Sequence, residues 1–140
     1  MTGTSFNKAL GIVEGFLKHT FAKAKSFSAS VSIAFEQNYG GIDGDSATST
    51  QIYATLSALS GVPIDQGIAV TGSADQFGNV QAIGGANEKI TGYFALAKSR
   101  GLTGRQGVII PSSNVADLML SREIVSAVRA GKFHIWGVDH

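Results

Sequence analysis

The apolar residues of this chain recur at two periods, and the switches between them divide it into elements. Phe6, Leu10, Val13, Leu17, Phe21 and Ala24 follow one another at three- and four-residue steps. That is the spacing of one helical face, so residues 6–25 are predicted to form an amphipathic helix, which Gly11 and Gly15 weaken. In Ser30-Val-Ser-Ile-Ala-Phe-Glu36 the apolar positions alternate, which predicts a half-buried strand. Residues 37–45 hold three Gly and two Asp and read as a loop. A helix is predicted over 46–60, with Ile52, Leu56 and Leu59 facing inward and Gly61-Val-Pro63 stopping it. Residues 67–71 and 80–83 read as strands joined through Ala74-Asp-Gln-Phe-Gly-Asn79, which has hairpin-turn chemistry. Gly84-Gly85 breaks the chain before a helix over 86–100. Gly107-Val-Ile-Ile110 reads as a short buried strand closed by Pro111, residues 114–130 as helix in one or two pieces, and 132–136 as a last strand. The order α-β-α-β-β-α-β-α-β predicts an α/β (α+β) domain with helices packed on a mixed sheet.

Composition narrows the class of molecule. The 140 residues suit one domain, and 44% apolar against 15% charged residues argues for a packed core over disorder. Eleven Lys and Arg against ten Asp and Glu leave a formal charge of +1, without the basic excess that a nucleic-acid partner selects. There is no Cys, which excludes disulfides, thiolate metal sites and a Cys nucleophile. No apolar run approaches the roughly 20 residues of a membrane span, and the N-terminus lacks the order of a signal peptide. A cytoplasmic chain with no membrane partner is the expectation.

Several familiar chemical motifs are missing: there is no Walker A loop, no Gly-x-Gly-x-x-Gly, no His-Glu-x-x-His and no Gly-x-Ser-x-Gly. His19, His134 and His140 have no acidic or Ser partner at a recognisable spacing, so they read as surface or core residues, and neither a Ser-His-Asp triad nor a metal site is expected. Ser5 and Lys8 match Ser-x-x-Lys, but short matches of this kind are mostly chance. Trp136 and the scattered Phe residues fit core packing.

What remains is Gly44-Asp-Ser-Ala-Thr48. A Ser that follows a Gly-rich loop and opens a helix suits plain N-capping. The same place suits a nucleophile, because the backbone N–H groups and dipole at a helix start stabilise an oxyanion. Such a Ser needs a base, and with His disfavoured Lys is the candidate. Lys89 stands apart from the other basic residues: it follows Ala82-Ile-Gly-Gly-Ala-Asn-Glu88, precedes Ile90, and has Tyr93 and Phe94 near it. It also reads as an ordinary helix Lys paired with Glu88. A lysine serving as a base near neutrality must sit where its charged form is penalised, so burial of Lys89 against apolar side chains is expected of that role.

Taken together, the segments resemble the proteolytic domain of the Lon protease family, ATP-dependent peptidases with a Ser-Lys dyad. Asp43-Gly-Asp-Ser-Ala47 resembles the nucleophile motif, in the branch with Asp before Ser, and Leu56-Ser-Ala-Leu-Ser-Gly-Val-Pro63 the helix and turn after it. Ile68-Ala-Val-Thr-Gly72 and Val80-Gln-Ala-Ile-Gly-Gly85 resemble the central hairpin, and Asn87-Glu-Lys-Ile90 the Lys motif. The resemblance runs from near Val31 to about Val138. It implies Ser46 as nucleophile, Lys89 as general base, Thr71 as the hydroxyl that orients the Lys ammonium, and Asp43 in a supporting position. The backbone amides of Ser46 and Ala47 are then the oxyanion-hole candidates. It implies a single proteolytic domain over 1–140, with 1–28 an N-terminal helical segment and 29–140 the catalytic core. It further implies unfolded polypeptide substrates, a homo-oligomeric, hexameric ring in the full-length protein, and no cofactor in this chain. ATP and Mg²⁺ belong to an ATPase module that this sequence does not contain, so the chain reads as an excised protease domain. Two other readings keep the same fold: an inactive assembly or peptide-binding module, and an esterase or amidase for small molecules.

Overall fold

The computed structural model describes residues 3–22, 30–35, 40 and 43–140. Its first helix, α1 (Thr4–Phe21), buries Phe6, Ala9, Val13 and Leu17. That 3-4-4 spacing is one helical face, and it runs through Ala9 instead of Leu10. Leu10 and Phe21, placed on the apolar face from sequence, are exposed at its margin, and Ala24 lies outside the described residues. The strand predicted at 30–36 is not found: its described part, 30–35, forms no ladder, and Glu36 lies outside the described residues. Alternation marks which side chains share a face but does not supply a pairing partner, and Phe35 meets Phe6 of α1 edge to face, 5.6 Å between centroids.

The second helix, α2 (Thr48–Ser60), ends at Gly61, whose φ of 69° is the left-handed conformation that favours Gly and whose N–H closes on the Ser57 carbonyl. It begins two residues after Ser46, so Ser46 is not the first helical residue. Its inner face is also unlike the prediction. Ile52 is buried and Leu56 partly so, but Leu59 is exposed, while Thr48, Ser49, Gln51 and Thr55 are buried. Val13 and Leu17 of α1 pack with Ile52 and with Ala74 to form the smaller of two cores.

The strands fall into two sheets. β1 (Ile68–Val70), β4 (Gly107–Pro111) and β5 (His134–Val138) form a parallel sheet in the order β1-β4-β5. β2 (Ser73–Ala74) and β3 (Val80–Gln81) form a separate antiparallel pair, with Ser73 opposite Gln81. The expected hairpin therefore closes on Ser73–Ala74, not on 67–71, because β1 is already paired to β4 with Val70 opposite Ile109. Its turn is made by Asp75, whose carboxylate accepts from the amides of Phe77 and Asn79. The architecture is α+β, with parallel and antiparallel ladders divided between the two sheets.

The larger core lies on the parallel sheet. α3 (Ala86–Ser99) contributes Ile90, Phe94 and Ala97, β4 contributes Val108 and Ile110, and α4 (Arg122–Arg129) contributes Ile124. Phe133, fully buried, meets Phe94 edge to face at 5.1 Å between centroids. Helical signal over 114–130 resolves into a 3₁₀ segment, Ser112–Asp117, and α4, which Ser121 caps through its hydroxyl. Trp136 is not a core residue: it is 38% exposed and stacks on His134, its indole lying over Gly107, where a Cβ would come within 2.5 Å of the ring. Among the described residues, no helix is long and apolar enough to cross a membrane. Phe133→Ala is expected to lower stability by about 3–5 kcal/mol through the cavity it leaves, measured as a lower denaturant midpoint at unchanged slope.

Candidate active site

Three chain segments converge where α2 and α3 begin and β1 ends. The first carries Ser46, half-buried in the turn before α2. Its carbonyl accepts from the Gly72 amide at 2.8 Å and the Thr71 hydroxyl at 3.4 Å. One residue earlier, the Asp45 carbonyl accepts from the Thr48 amide and hydroxyl at 3.0 and 2.5 Å. In return the Ser49 amide donates to the Gly72 carbonyl, and the Thr50 hydroxyl to that of Val70. The Ser46 turn is thus laced to the end of β1 from both sides. Gly72 permits this closeness, since a Cβ there would lie 3.0 Å from Ser49 Oγ and 3.3 Å from Val80 Cγ1.

Lys89 arrives from α3. Asn114 grips the chain before it, accepting from the Ile83 amide and donating to the Ile83 carbonyl, each at 3.0 Å. Gly85, at a φ of 69°, turns the chain into the helix, whose first turn projects Lys89 toward Ser46. Lys89 Nζ lies 2.9 Å from Ser46 Oγ and 3.3 Å from Thr71 Oγ1. Direct hydrogen-bond reach between a hydroxyl and an amine is the geometry that proton transfer between them requires. The Ser46 hydroxyl does not cap α2: the N-cap position is Ala47, which supplies no capping side chain.

A cavity of about 230 Å³ opens beside this pair, lined by Thr50, Ala69, Val70, Tyr93 and Val108 as well as the three hydroxyl- and amine-bearing residues. Tyr93 is fixed by donating its hydroxyl to the Gly67 carbonyl at 2.7 Å. The expected burial of Lys89 is not what the chain shows. Lys89 is an exposed residue at the rim of a mostly apolar cavity.

Sequence reasoning named Ser46, Lys89 and Thr71, and the structure brings these three into one hydrogen-bonded group. Ala47 follows in the same turn, and among the described residues the amides of Ser46 and Ala47 donate to no backbone carbonyl. Asp43 goes elsewhere. Its carboxylate accepts from the amides of Ser5 and Phe6 at the start of α1, at 3.0 and 3.3 Å. The Gly44 amide foremost, then those of Phe6 and Ser5 and the Ser5 hydroxyl, hold the Asp43 carboxyl below the usual carboxylate range. Thr50 and Asn114 were not singled out from sequence, and Gly72 and Tyr93 were named there only as the end of a motif and as a neighbour of Lys89.

The histidines lie outside this group. His134 Nε2 meets the Gly104 carbonyl at 2.9 Å, His140 Nδ1 the Gly78 carbonyl at 2.7 Å, and His19 rests edge-on against Phe77. Ser5 and Lys8, the chance Ser-x-x-Lys match, sit on the exposed start of α1, with Ser5 tied to Asp43.

Comparison with known proteins converges on one family. The family model of the Lon protease (S16) C-terminal proteolytic domain matches residues 3–139. A Lon protease homolog of Escherichia coli K12 is 49% identical over 137 residues, 98% of this chain and 23% of that protein. One from Haemophilus influenzae is 43% identical over 139 residues, 99% of this chain and 23% of that protein. An archaeal Lon protease of Methanocaldococcus jannaschii is 48% identical over 87 residues, 62% of this chain and 12% of that protein. The chain thus spans under a quarter of the length of these curated relatives.

Proposed function

The chain belongs to the Lon protease (S16) C-terminal proteolytic domain family, and from that premise we propose that it is a serine endopeptidase with Ser46 as nucleophile and Lys89 as general base. The observation that carries this reading is the 2.9 Å contact between Lys89 Nζ and Ser46 Oγ. In its neutral form Lys89 takes the Ser46 hydroxyl proton as Oγ bonds to the scissile carbonyl carbon. The carbonyl oxygen becomes an oxyanion facing the Ser46 and Ala47 amides. Collapse breaks the C–N bond, the Lys89 ammonium returns its proton to the leaving amine, and an acyl-Ser46 ester remains. Water, deprotonated by Lys89, then hydrolyses that ester and restores Ser46. Thr71 accepts from the Lys89 ammonium and donates to the Ser46 carbonyl, which fixes the amine relative to the turn. A peptide lying across the cavity mouth would exclude water from Lys89, the desolvation that the free chain does not provide.

We propose residues 1–140 as one catalytic unit that works in a homo-oligomeric, hexameric ring on unfolded chains in the cytoplasm, without a metal or cofactor in this chain. The sequence carries no Walker A loop, so ATP and Mg²⁺ would act only through a separate motor module. The expected result is slow cleavage of a flexible, casein-like polypeptide, unchanged by ATP and Mg²⁺, and no cleavage of a tightly folded protein. A time course on both substrates, with and without nucleotide, checks this. Binding of the flexible chain without new termini would favour an assembly or peptide-binding module. Hydrolysis of small esters alone would favour the esterase.

A further inference from the structure

Helix α1 lacks the usual means of closing its own start. Its N-cap residue is Gly3, which has no side chain to offer, and its first turn contains no acidic residue. The missing acceptor comes from far along the chain: Asp43 Oδ1 takes the amides of Ser5 and Phe6, 38 and 37 residues distant in sequence. Gly3 is shaped to this contact. A Cβ on Gly3 would fall 2.2 Å from Asp43 Cγ, 2.3 Å from Oδ1 and 2.6 Å from Cβ. Because the collision reaches the Asp43 Cβ, rotating the carboxylate does not relieve it. Gly3 itself has a φ of −74°, open to any residue, so what excludes a side chain there is Asp43 and not the backbone.

Asp43 stands three residues before Ser46. The turn itself is tied at the Ser46 carbonyl, to Gly72 and Thr71, and at the Asp45 carbonyl, to Thr48. Upstream of Asp45 the Asp43 carboxylate ties the chain to α1, and between the two ties lies Gly44 at a φ of 102°, a conformation with little steric resistance to swinging.

We propose that Asp43 is a positioning residue for Ser46, and that by capping α1 it makes this helix part of the active-site scaffold. The inference rests on the Ser46 and Lys89 reading above. Asp43 touches neither side chain of that pair; it sets the path by which the chain enters the nucleophile turn. Loss of the contact frees the Gly44 hinge and spreads Ser46 over geometries of which few attack. Misplacement of reacting groups on the ångström scale costs up to about a hundredfold in rate. The loss falls on kcat, because the cavity walls on β1, β4 and α3 that hold substrate are untouched.

The test uses the whole chain with Asp43→Ala, Asp43→Asn, Gly3→Ala and the Gly3→Ala/Asp43→Ala double variant. Each is assayed on a fluorogenic peptide and for the rate of Ser46 acylation by a fluorophosphonate, well below its melting temperature. The expected result for Asp43→Ala is a kcat and acylation rate lower by about tenfold or more, with KM within about twofold of the parent. Asp43→Asn keeps an acceptor oxygen of the same shape and should retain most of the rate. Gly3→Ala should reproduce Asp43→Ala although it lies on α1, and the double variant should be no slower than Asp43→Ala, since both remove one contact. Parental kcat in Asp43→Ala and Gly3→Ala, or losses that multiply in the double variant, would overturn the proposal. If Ser46→Ala is inactive in the same assay, such a result sinks only the role of Asp43. If Ser46→Ala is active, the nucleophile assignment fails first.

Discussion

Ser46→Ala is expected to remove peptide hydrolysis, by a factor on the order of 10⁴ or more, while leaving the fold in place. The loss is large because no neighbouring group can replace the attacking oxygen, and removing the nucleophile of such a unit costs about as much as removing the whole of it. The fold survives because of what the Ser46 side chain does not do. It caps no helix, since α2 starts at Thr48 behind Ala47. The ties that hold the turn run through the Ser46 carbonyl, to the Gly72 amide and the Thr71 hydroxyl, and Ala keeps both. Lys89 loses a partner but is an exposed residue, so no unpaired charge is buried. Loss of one hydroxyl and its hydrogen bond at this half-buried position is expected to move stability by no more than about 1 kcal/mol, so the melting temperature should stay near the parent's. Undiminished turnover by the variant, purified free of other proteases, would remove Ser46 from the mechanism.

Much of this organisation was legible in the chain because its strongest local signals agree with its packing. The helix read over 86–100 and the apolar run Val108 to Ile110 supply Ile90, Phe94, Ala97, Val108 and Ile110, most of the larger core. Two glycine signals were also plain: Gly61 stops α2 and Gly85 opens α3, both at positive φ. The separate segments holding Ser46, Thr71 and Lys89 could be read as one constellation only through ordered motifs. Nothing in hydrophobic period brings residues 43 apart to 2.9 Å.

Where reading failed, a tertiary partner decided the outcome. α2 buries Thr48, Ser49, Gln51 and Thr55 while exposing Leu59, because its inner face meets the β1 to β2 crossing and α1. The strand expected at 30–36 has the right alternation, yet residues 30–35 lie against no ladder. Trp136 shields the bare backbone of Gly107 from outside the core, a job that side-chain hydrophobicity alone does not announce. Asp43 has the composition of a turn residue and also caps a helix 37 residues upstream. No local pattern encodes that.

Lys89→Arg is expected to be as inactive as Lys89→Ala, each at least about 10³-fold below the parent in kcat/KM, within the range that general acid-base catalysis contributes together with loss of the paired geometry. The comparison separates two jobs a cation can hold at this place. Lys89 Nζ touches both the Ser46 and the Thr71 hydroxyls. A positive group that merely orients them, or attracts an oxyanion, could be a guanidinium as well as an ammonium. A base has to give up its charge, and a guanidinium does not do so at any pH where this fold would be assayed. The site also makes the substitution a fair one. Lys89 is exposed at the cavity rim, so the larger head can point outward without being buried, and the inner face of α3, built from Ile90, Phe94 and Ala97, is not disturbed. The melting temperature of both variants should therefore stay near the parent's, and inactivity is then chemical and not structural. A substantial fraction of activity in Lys89→Arg, with Lys89→Ala inactive, would make Lys89 an electrostatic residue and leave Ser46 in need of another base. Among the described residues no histidine or carboxylate touches Ser46 Oγ, so that base would have to come from substrate, from solvent, or from residues outside the described part of the chain.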